Sequence, residues 1–355
     1  MKVFLVTGSC GSVGGELVKY LLENYADSEV RCLDNNESQL FFQEQNYISN
    51  NKAKFYLGDV RDFDRLNEVM DGVQTVFHTA ALKHVVMCER SPMDAVQSNI
   101  IGVNNVVKAA KEAGVAKVLF TSSDKAVNPT NVMGTSKLMG ERLITAANAS
   151  QNAGDTIFSS TRFGNVLGSN GSVVPIFAKQ IEKGGPLTLT DTEMTRFIMS
   201  MSQAVELVVN SAELARGGEV FVTKMPVIKI SDLAEVMIEE LAPMYGYKPS
   251  DIKINIIGSK PGEKLYEELM SSEETRRAIE LEDYFIVLPA FIGLYRNIEY
   301  DFDKVLSNDV TNPYISEDET KLTKDELKAF LVKYRLLEGF AGNSQDTRYW
   351  PGDKS

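Results

Sequence analysis

The stretch Ser122–Lys137 reads SSDKAVNPTNVMGTSK and sets Asp124 and Lys125 side by side. Adjacent groups of opposite charge couple their protonation, so such a pair can take a proton at one atom while giving one at another. Lys137 follows Met133 by one helical turn, and a thioether does not titrate, so proton transfer near Lys137 falls to some other group. A second cluster, TGSCGSVGGELV, holds Gly8, Gly11 and Gly14, with Ser12 and Val13 between them. Backbone without Cβ atoms turns tightly and lets N–H groups approach pyrophosphate oxygens at a helix N-terminus. Asp34 in CLDNNE lies about twenty residues past this loop, where an acidic side chain accepts hydrogen bonds from ribose hydroxyls. It would also repel a 2′-phosphate, and no Arg or Lys follows closely to neutralise one. The expected cofactor is therefore NAD rather than NADP.

These side chains need rigid elements to hold them. KVFLVTG is a buried-strand run, and GELVKYLLENY then puts Leu17, Val18, Leu21, Leu22 and Tyr25 on one helical face. EVRCLD, AKFYLGD, GVQTVFHTAA, AKVLFTSS and DTIFSSTRFGN are further strand candidates, each separated from the next by a helical segment or a long crossover. That alternation predicts an α/β fold with a Rossmann-like, doubly wound parallel sheet. Ligands of such sheets bind beside the carboxyl ends of the strands, which sets Ser123, Asp124 and Lys125 at a strand tip by the crevice. After Asn165, Gly, Pro and Ser punctuate the chain before a helix near Ser202–Leu214, a strand GEVFVTK and a helix SDLAEVMIEELA. The predicted division is a dinucleotide-binding domain over 1–165 with returning segments near 195–225, an interleaved, smaller C-terminal substrate-binding domain over 166–300, and an extension over 301–355. The extension ends in the polar, turn-rich FAGNSQDTRYWPGDKS, which reads as a tail or arm.

A chain of 355 residues accommodates one large α/β domain and a smaller partner. Its net charge of −12 argues against nucleic acid or an anionic membrane surface as the main partner. An anionic ligand must then be held by local Arg, Lys and backbone N–H groups. MKVFLVTG runs directly into a strand, and nowhere do about eighteen apolar residues follow one another. The expectation is a cytoplasmic protein with no membrane insertion. Cys10, Cys32 and Cys88 have no paired spacing, and His78 and His84 lack the spacing of a metal pair, so no metal site is expected.

The GxxGxxG spacing resembles the short-chain dehydrogenase/reductase superfamily. That resemblance implies that Asp59 and Val60 of GDVRD flank the adenine. Ala80 and Ala81 of HTAAL lie where the backbone passes close to the cofactor, and Asn99 matches a position that supports the active site. In the superfamily's YxxxK motif, Tyr removes a hydroxyl proton while Lys lowers the Tyr pKa and binds the nicotinamide ribose. Lys137 keeps its half of this task, and Met133 stands in the place of the Tyr.

The resemblance becomes specific over AALKHVVMCERSPMDAVQSNIIGVNNV, SSDKAVNPTNVMGTSK, TRFGNVLGSNGSVVPIF, MTRFIMS and KPGEKLYEEL. Together they look like the UDP-N-acetylglucosamine 4,6-dehydratases of surface-glycan pathways, from the first strand to about Leu288, some of which carry Met at the position of Met133. Such enzymes oxidise carbon 4 of the sugar, eliminate water across carbons 5 and 6, and return hydride to carbon 6. On this resemblance Asp124 is the acid for the carbon 6 hydroxyl, Lys125 the base at carbon 5, and Ser123 a partner of the carbon 4 oxygen. The base for the 4-hydroxyl is either Asp124 acting twice or Lys137. For the sugar diphosphate the candidates are Asn165, Ser172 as a helix cap, Arg196, Glu263 with Lys264, and Lys83. A homo-oligomer built on helices flanking the site is implied. MTRF leans toward inversion at carbon 5 and NPTNVMG toward retention. The alternatives are a UDP-sugar 4-epimerase, which relies on the missing Tyr, and a non-catalytic dinucleotide sensor.

Overall fold

Lys2–Thr7 forms β1 because nearly every side chain in the run is buried, which a strand covered on both faces allows. The computed structural model describes residues 1–149, 156–169, 171–258, 262, 264–291 and 298–340. After β1 come α1 (Ser12–Asn24), β2 (Ser28–Asp34), α2 (Glu37–Asn46), β3 (Ala53–Leu57), α3 (Phe63–Met70) and β4 (Thr75–His78). The crossover that follows holds α4 (Val85–Arg90), α5 (Pro92–Ala95), a π-helical turn Val96–Ile101 and α6 (Gly102–Glu112). It leads to β5 (Lys117–Ser123), α7 (Val132–Ala147) and β6 (Ile157–Phe163). The chain then alternates between two regions through β7 (Asn165–Val166), α8 (Val173–Glu182), β8 (Leu187–Leu189), β9 (Thr195–Met199), α9 (Met201–Leu214) and β10 (Val220–Thr223). The last part contains β11 (Val227–Lys229), α10 (Ile230–Leu241), β12 (Ile254–Ile256), β13 (Glu268–Met270), β14 (Ala278–Glu280), β15 (Tyr284–Val287), β16 (Tyr314–Ile315) and α11 (Lys324–Lys333).

Among the described residues, nine strands form one sheet in the order β14-β15-β10-β6-β5-β4-β1-β2-β3. The run from β3 to β10 is parallel, as the doubly wound reading expects. β15 pairs antiparallel to β10, and β14 antiparallel to β15, with Val220 opposite Val287 and Ala278 opposite the same residue. Strand order reverses between β1 and β4, the point where such sheets open a crevice.

Helices cover both faces. Leu66, Val106 and Ile144 pack with Val118 and Phe158 on one side, and Leu17, Leu21, Val205 and Val208 pack with Val6 and Leu119 on the other. A separate core gathers α8, α10 and α11 around Phe177, Ile181, Met237, Leu241, Leu327 and Leu331. Each such side chain contributes about 1.5–3 kcal/mol when fully buried. Glu263 and residues 341–355 lie outside the described residues.

Candidate active site

The crevice is lined by residues that have little room to change. Gly8 adopts a left-handed φ of +72°, and a Cβ there would stand 2.7 Å from Ala80 Cα. A Cβ on Gly14 would stand 2.1 Å from the Gly8 carbonyl oxygen. The loop between β1 and α1 therefore lies against Ala80 at backbone distance, with Gly11 at the N-cap and Ser12 and Val13 opening the helix. The Asp34 carboxylate accepts from Cys10 N and Asn36 N, both at 2.9 Å, so it braces the glycine loop from the end of β2. Asn35 donates to Asp59 at 3.0 Å, and Arg61 pairs with the same carboxylate at 2.7 Å. Those hydrogen bonds, that of Arg61 foremost, bring Asp59 down to about 2. Val60 is buried against Gly102. Asn99, in the π-helical turn, accepts from Leu82 N and donates to Leu82 O and Ser136 Oγ, which ties the segment after Ala80 and Ala81 to α7.

Two buried polar atoms, Ser9 Oγ and His78 Nε2, have no partner among the described residues. Burial brings His78 down to about 3, so its ring is neutral. Orphaned polar atoms beside a loop that excludes Cβ atoms fit a bound dinucleotide.

β5 ends at Ser123, which accepts from Lys125 N at 3.3 Å and so caps the single 3-10 turn Asp124–Ala126. Ser123 Oγ also donates to Asp124 Oδ1 at 2.5 Å. α7 begins beside this turn, capped by Asn131, whose side chain accepts from Gly134 N at 2.8 Å. The helix and turn touch through Gly134, where a Cβ would stand 2.1 Å from the Lys125 carbonyl oxygen. Met133 is buried against Cys88 and Ala95. Lys137 is buried too, donating to Thr121 O at 2.9 Å and lying 4.6 Å from the Phe120 ring centre. Burial brings its ammonium down to about 8, against the opposing pull of Glu141.

Asp124 and Lys125 open onto a cleft of about 290 Å³, with Val85, Val86, Asn131, Asn165, Arg196, Lys264, Glu267 and Glu268 also on its walls. Lys125 Nζ lies 3.0 Å from Asp124 Oδ2 and 3.1 Å from Glu267 Oε1. Burial alone would raise Asp124, but Lys125 and hydrogen bonds from its neighbours hold it well below the usual carboxylate range. Lys125 is held above its ordinary value by the same two carboxylates, despite burial. Burial and then Asp124 push Glu267 up to about 7, with Lys125 and Arg196 opposing.

Of the expected diphosphate residues, Asn165, Arg196 and Lys264 line this cleft, whereas Ser172 and Lys83 are not on its walls. Asn165 donates to Glu267 Oε2 at 3.1 Å. Arg196 donates to Thr195 O, Leu265 O and Lys264 O and pairs with Glu267 at 3.2 Å, so its guanidinium organises residues 264–267. Lys264 reaches Val127 O and Glu268. Ser172 takes the N-cap position of α8 by its backbone, but its hydroxyl makes no cap bond and is buried without a partner among the described residues. The expected side-chain cap is thus absent. Lys83 is exposed, one residue from His84, whose ring faces Gly171 at the foot of α8.

Glu267 and Glu268 carry no signal in the sequence that marks them as site residues, although KPGEKLYEEL contains both. The same holds for Arg162, whose guanidinium is buried between Glu141 at 2.6 Å and Glu274 at 2.8 Å. It also donates to Leu269 O in β13 and so joins α7 to the strand that follows Glu267.

A family described as polysaccharide biosynthesis protein matches residues 4–289. An uncharacterized membrane protein of Methanocaldococcus jannaschii is 49% identical over 95% of this chain and 97% of its own. Among the described residues no helix is long and apolar enough to cross a membrane. An inverting UDP-N-acetylglucosamine 4,6-dehydratase of Campylobacter jejuni is 41% identical over 81% of this chain and 83% of its own. A UDP-glucose 4-epimerase of Rickettsia canadensis is 39% identical over 95% and 97%. The solved structure of Pen from Bacillus thuringiensis superposes with a TM-score of 0.86 at 40% identity, over 95% of this chain and 98% of that one. DesIV, a dTDP-glucose 4,6-dehydratase from Streptomyces venezuelae solved with NAD and TYD bound, shares the fold at a TM-score of 0.65 and 22% identity, over 74% and 86%. With its strand order, glycine cradle and acid–base cleft, the chain belongs to the polysaccharide biosynthesis protein family, extended short-chain dehydrogenase/reductases of the sugar nucleotide dehydratase and epimerase type.

Proposed function

We propose that the chain is an NAD-dependent 4,6-dehydratase acting on UDP-N-acetylglucosamine to give a UDP-4-keto-6-deoxy-N-acetylhexosamine for surface glycan synthesis. The observation that carries this reading is the Asp124–Lys125 pair, 3.0 Å apart at the tip of β5 and opening onto the cleft. Elimination across adjacent carbons needs a base at one and an acid at the oxygen leaving the other, and two neighbouring residues of opposite charge supply both. The dehydratase name of the 41% identical relative supports the same reading.

NAD, when bound, supplies the reversible hydride acceptor for carbon 4. Gly8, Gly11, Ser12, Val13 and Gly14 would hold its pyrophosphate, Asp34 the adenosine ribose, and Asp59 and Val60 the adenine. Ala80, Ala81, Asn99 and Lys137 would frame the nicotinamide end. DesIV, solved with NAD bound, supports this choice of cofactor. Ser123 hydrogen-bonds the carbon 4 oxygen; one proton passes from Lys125 to Asp124 across their 3.0 Å contact, after which the neutral Lys125 amine removes the proton from carbon 5 and Asp124 gives its proton to the departing carbon 6 hydroxyl, which restores the ion pair. For the 4-hydroxyl proton the acceptor is Asp124, on the cleft wall, or Lys137, whose ammonium burial brings down to about 8. Met133 takes no proton. Lys83, Asn165, Ser172, Arg196 and Glu263 serve the sugar diphosphate, Arg196 by holding residues 264–267 in place. The dinucleotide-binding part spans 1–165 with returns near 195–225, and the substrate part spans 166–300. Exposed Val86, Met87, Met93 and Met139 lie on the helices that would pair in a homo-oligomer.

An epimerase is the second reading, favoured by the name of the 39% identical relative. Incubation with UDP-N-acetylglucosamine, followed by NMR, separates them. The expected product is the 4-keto-6-deoxy sugar. The galacto isomer would establish the epimerase, and unchanged substrate would leave a dinucleotide sensor.

A further inference from the structure

Asn128 stands in the left-handed region, at a φ of +43°, where a Cβ crowds its own backbone and glycine alone settles freely. The path of the chain explains why. The 3-10 turn Asp124–Ala126 ends at Val127, and α7 is capped from Asn131. Three residues between them must therefore turn the chain so that Gly134 comes to rest under the Lys125 carbonyl. Asn128 makes the turn, and Pro129 fixes the φ that follows.

The group that holds Asn128 comes from 140 residues away, where Glu268 Oε2 accepts from its Nδ2 at 2.5 Å. Glu268 is buried in β13, and the pairing of that strand with β16 seats it opposite Ile315. Its other oxygen takes Lys264 at 3.3 Å, and the same ammonium reaches Val127 O at 3.3 Å. Thr130 Oγ1 and Asn131 Nδ2 donate to Gly262 O at 3.2 and 3.5 Å. Gly262, Lys264 and Glu268 thus grip the connection between the Asp124–Lys125 turn and α7 along its length.

We propose that Glu268 is a positioning residue: by holding the Asn128 amide it keeps that residue left-handed, and so fixes how the Asp124–Lys125 turn meets the helix that carries Lys137. This rests on the dehydratase reading, in which one sugar is served at neighbouring carbons from both the turn and α7, so neither can shift against the other. The effect of Glu268 runs through a backbone conformation rather than through a reacting atom. Asn suits the task because its backbone tolerates this region and its short amide still reaches a partner. Gly would adopt the same conformation with no partner at all, whereas Ala would have neither the freedom nor the amide. That difference can be read directly, because Asn128 is otherwise exposed and its replacement leaves the core untouched.

Steady-state kinetics of the holoenzyme with UDP-N-acetylglucosamine supply the test. In Asn128→Ala, kcat for keto-sugar formation should fall about tenfold or more, with KM within about twofold of wild type. Asn128→Gly should stay within about threefold of wild type. Glu268→Ala should fall as Asn128→Ala does, and Glu268→Gln, whose amide oxygen still accepts from Asn128, should recover most of that loss. Placed in the Asn128→Gly background, Glu268→Ala should lower kcat by less than about threefold more. Equal losses in Asn128→Ala and Asn128→Gly overturn the proposal, and this pair decides even where Glu268→Ala does not fold. A Glu268→Ala loss of the same size in both backgrounds overturns it as well, since that is what packing of β13 alone would give. Such failures in an enzyme whose wild type makes the keto sugar strike the proposal by itself. A wild type that makes none overturns the dehydratase reading, and the proposal with it.

Discussion

Gly134 lies under Lys125 so closely that the space for its missing Cβ is 2.1 Å from the Lys125 carbonyl oxygen. α7, which carries Lys137, is thereby docked onto the turn that carries Asp124 and Lys125, and the groups assigned to hydride and proton chemistry share one rigid seat. Gly134→Ala should force helix and turn apart, costing about 1–3 kcal/mol of stability. Product formation should fall by more than the loss of folded protein explains. Thermal unfolding compared with keto-sugar yield per folded enzyme checks both.

Met133 packs against Cys88 and Ala95 and has no ionisable atom. Met133→Leu, close in volume, should cost less than about 1.5 kcal/mol and leave most of the activity. A loss comparable to that of a catalytic residue would give Met133 a role that packing does not supply.

Lys125→Ala removes the group proposed as the carbon 5 base while leaving Lys137 and the glycine cradle in place. The rate should fall by about 10²- to 10⁴-fold. Wild-type product made in D₂O should carry deuterium at carbon 5, read by NMR. Near-normal turnover of the variant with full incorporation would move the base elsewhere.

Asp34 braces Cys10 N at 2.9 Å and is the residue proposed to hold the adenosine ribose. The wild type should bind NAD far more tightly than NADP. Asp34→Ala should weaken NAD by about 1.5–3 kcal/mol, the worth of a hydrogen bond to a charged group. Calorimetric titration of cofactor-free protein decides it, and equal or tighter NADP binding in the wild type would refute the assignment.

Arg162 is buried between Glu141 and Glu274, and Arg162→Ala would leave two carboxylates buried without their cation. The expected loss is about 3–5 kcal/mol of stability. Although burial opposes it, Arg162 brings Glu274 from 4.5 down to about 2. A carboxylate depressed in the folded state contributes stability in full above its unfolded pKa, and that contribution is lost as pH falls through the folded one. Acid unfolding of the wild type should therefore set in between about pH 4 and about pH 2, and in Glu274→Gln this component should disappear from the pH dependence of the unfolding temperature.

The sheet from β1 to β6 and the glycine cradle were legible because each rests on local signals: apolar runs of strand length, helical periodicity, and glycines between the two. Asp124 and Lys125 were legible for the same reason, lying at the end of one such run. Glu267 was not, because it reaches Lys125 across 142 residues of sequence and its motif looks locally like a solvated turn. Arg162 was hidden similarly: a charged residue in β6 gives no sign of the two carboxylates that enclose it. The Ser172 cap failed because sequence supplies the residue type and backbone position but not the direction of a hydroxyl.

β14 and β15 complete the edge of the large sheet with chain that has already visited the substrate region. A fragment ending after β10 would leave that strand's outer edge unpaired, a template for aggregation. The two regions are therefore poor candidates for exchange between relatives as contiguous blocks. Refolding should show them appearing together, and slowly, since the edge closes only after strands far apart in sequence have met.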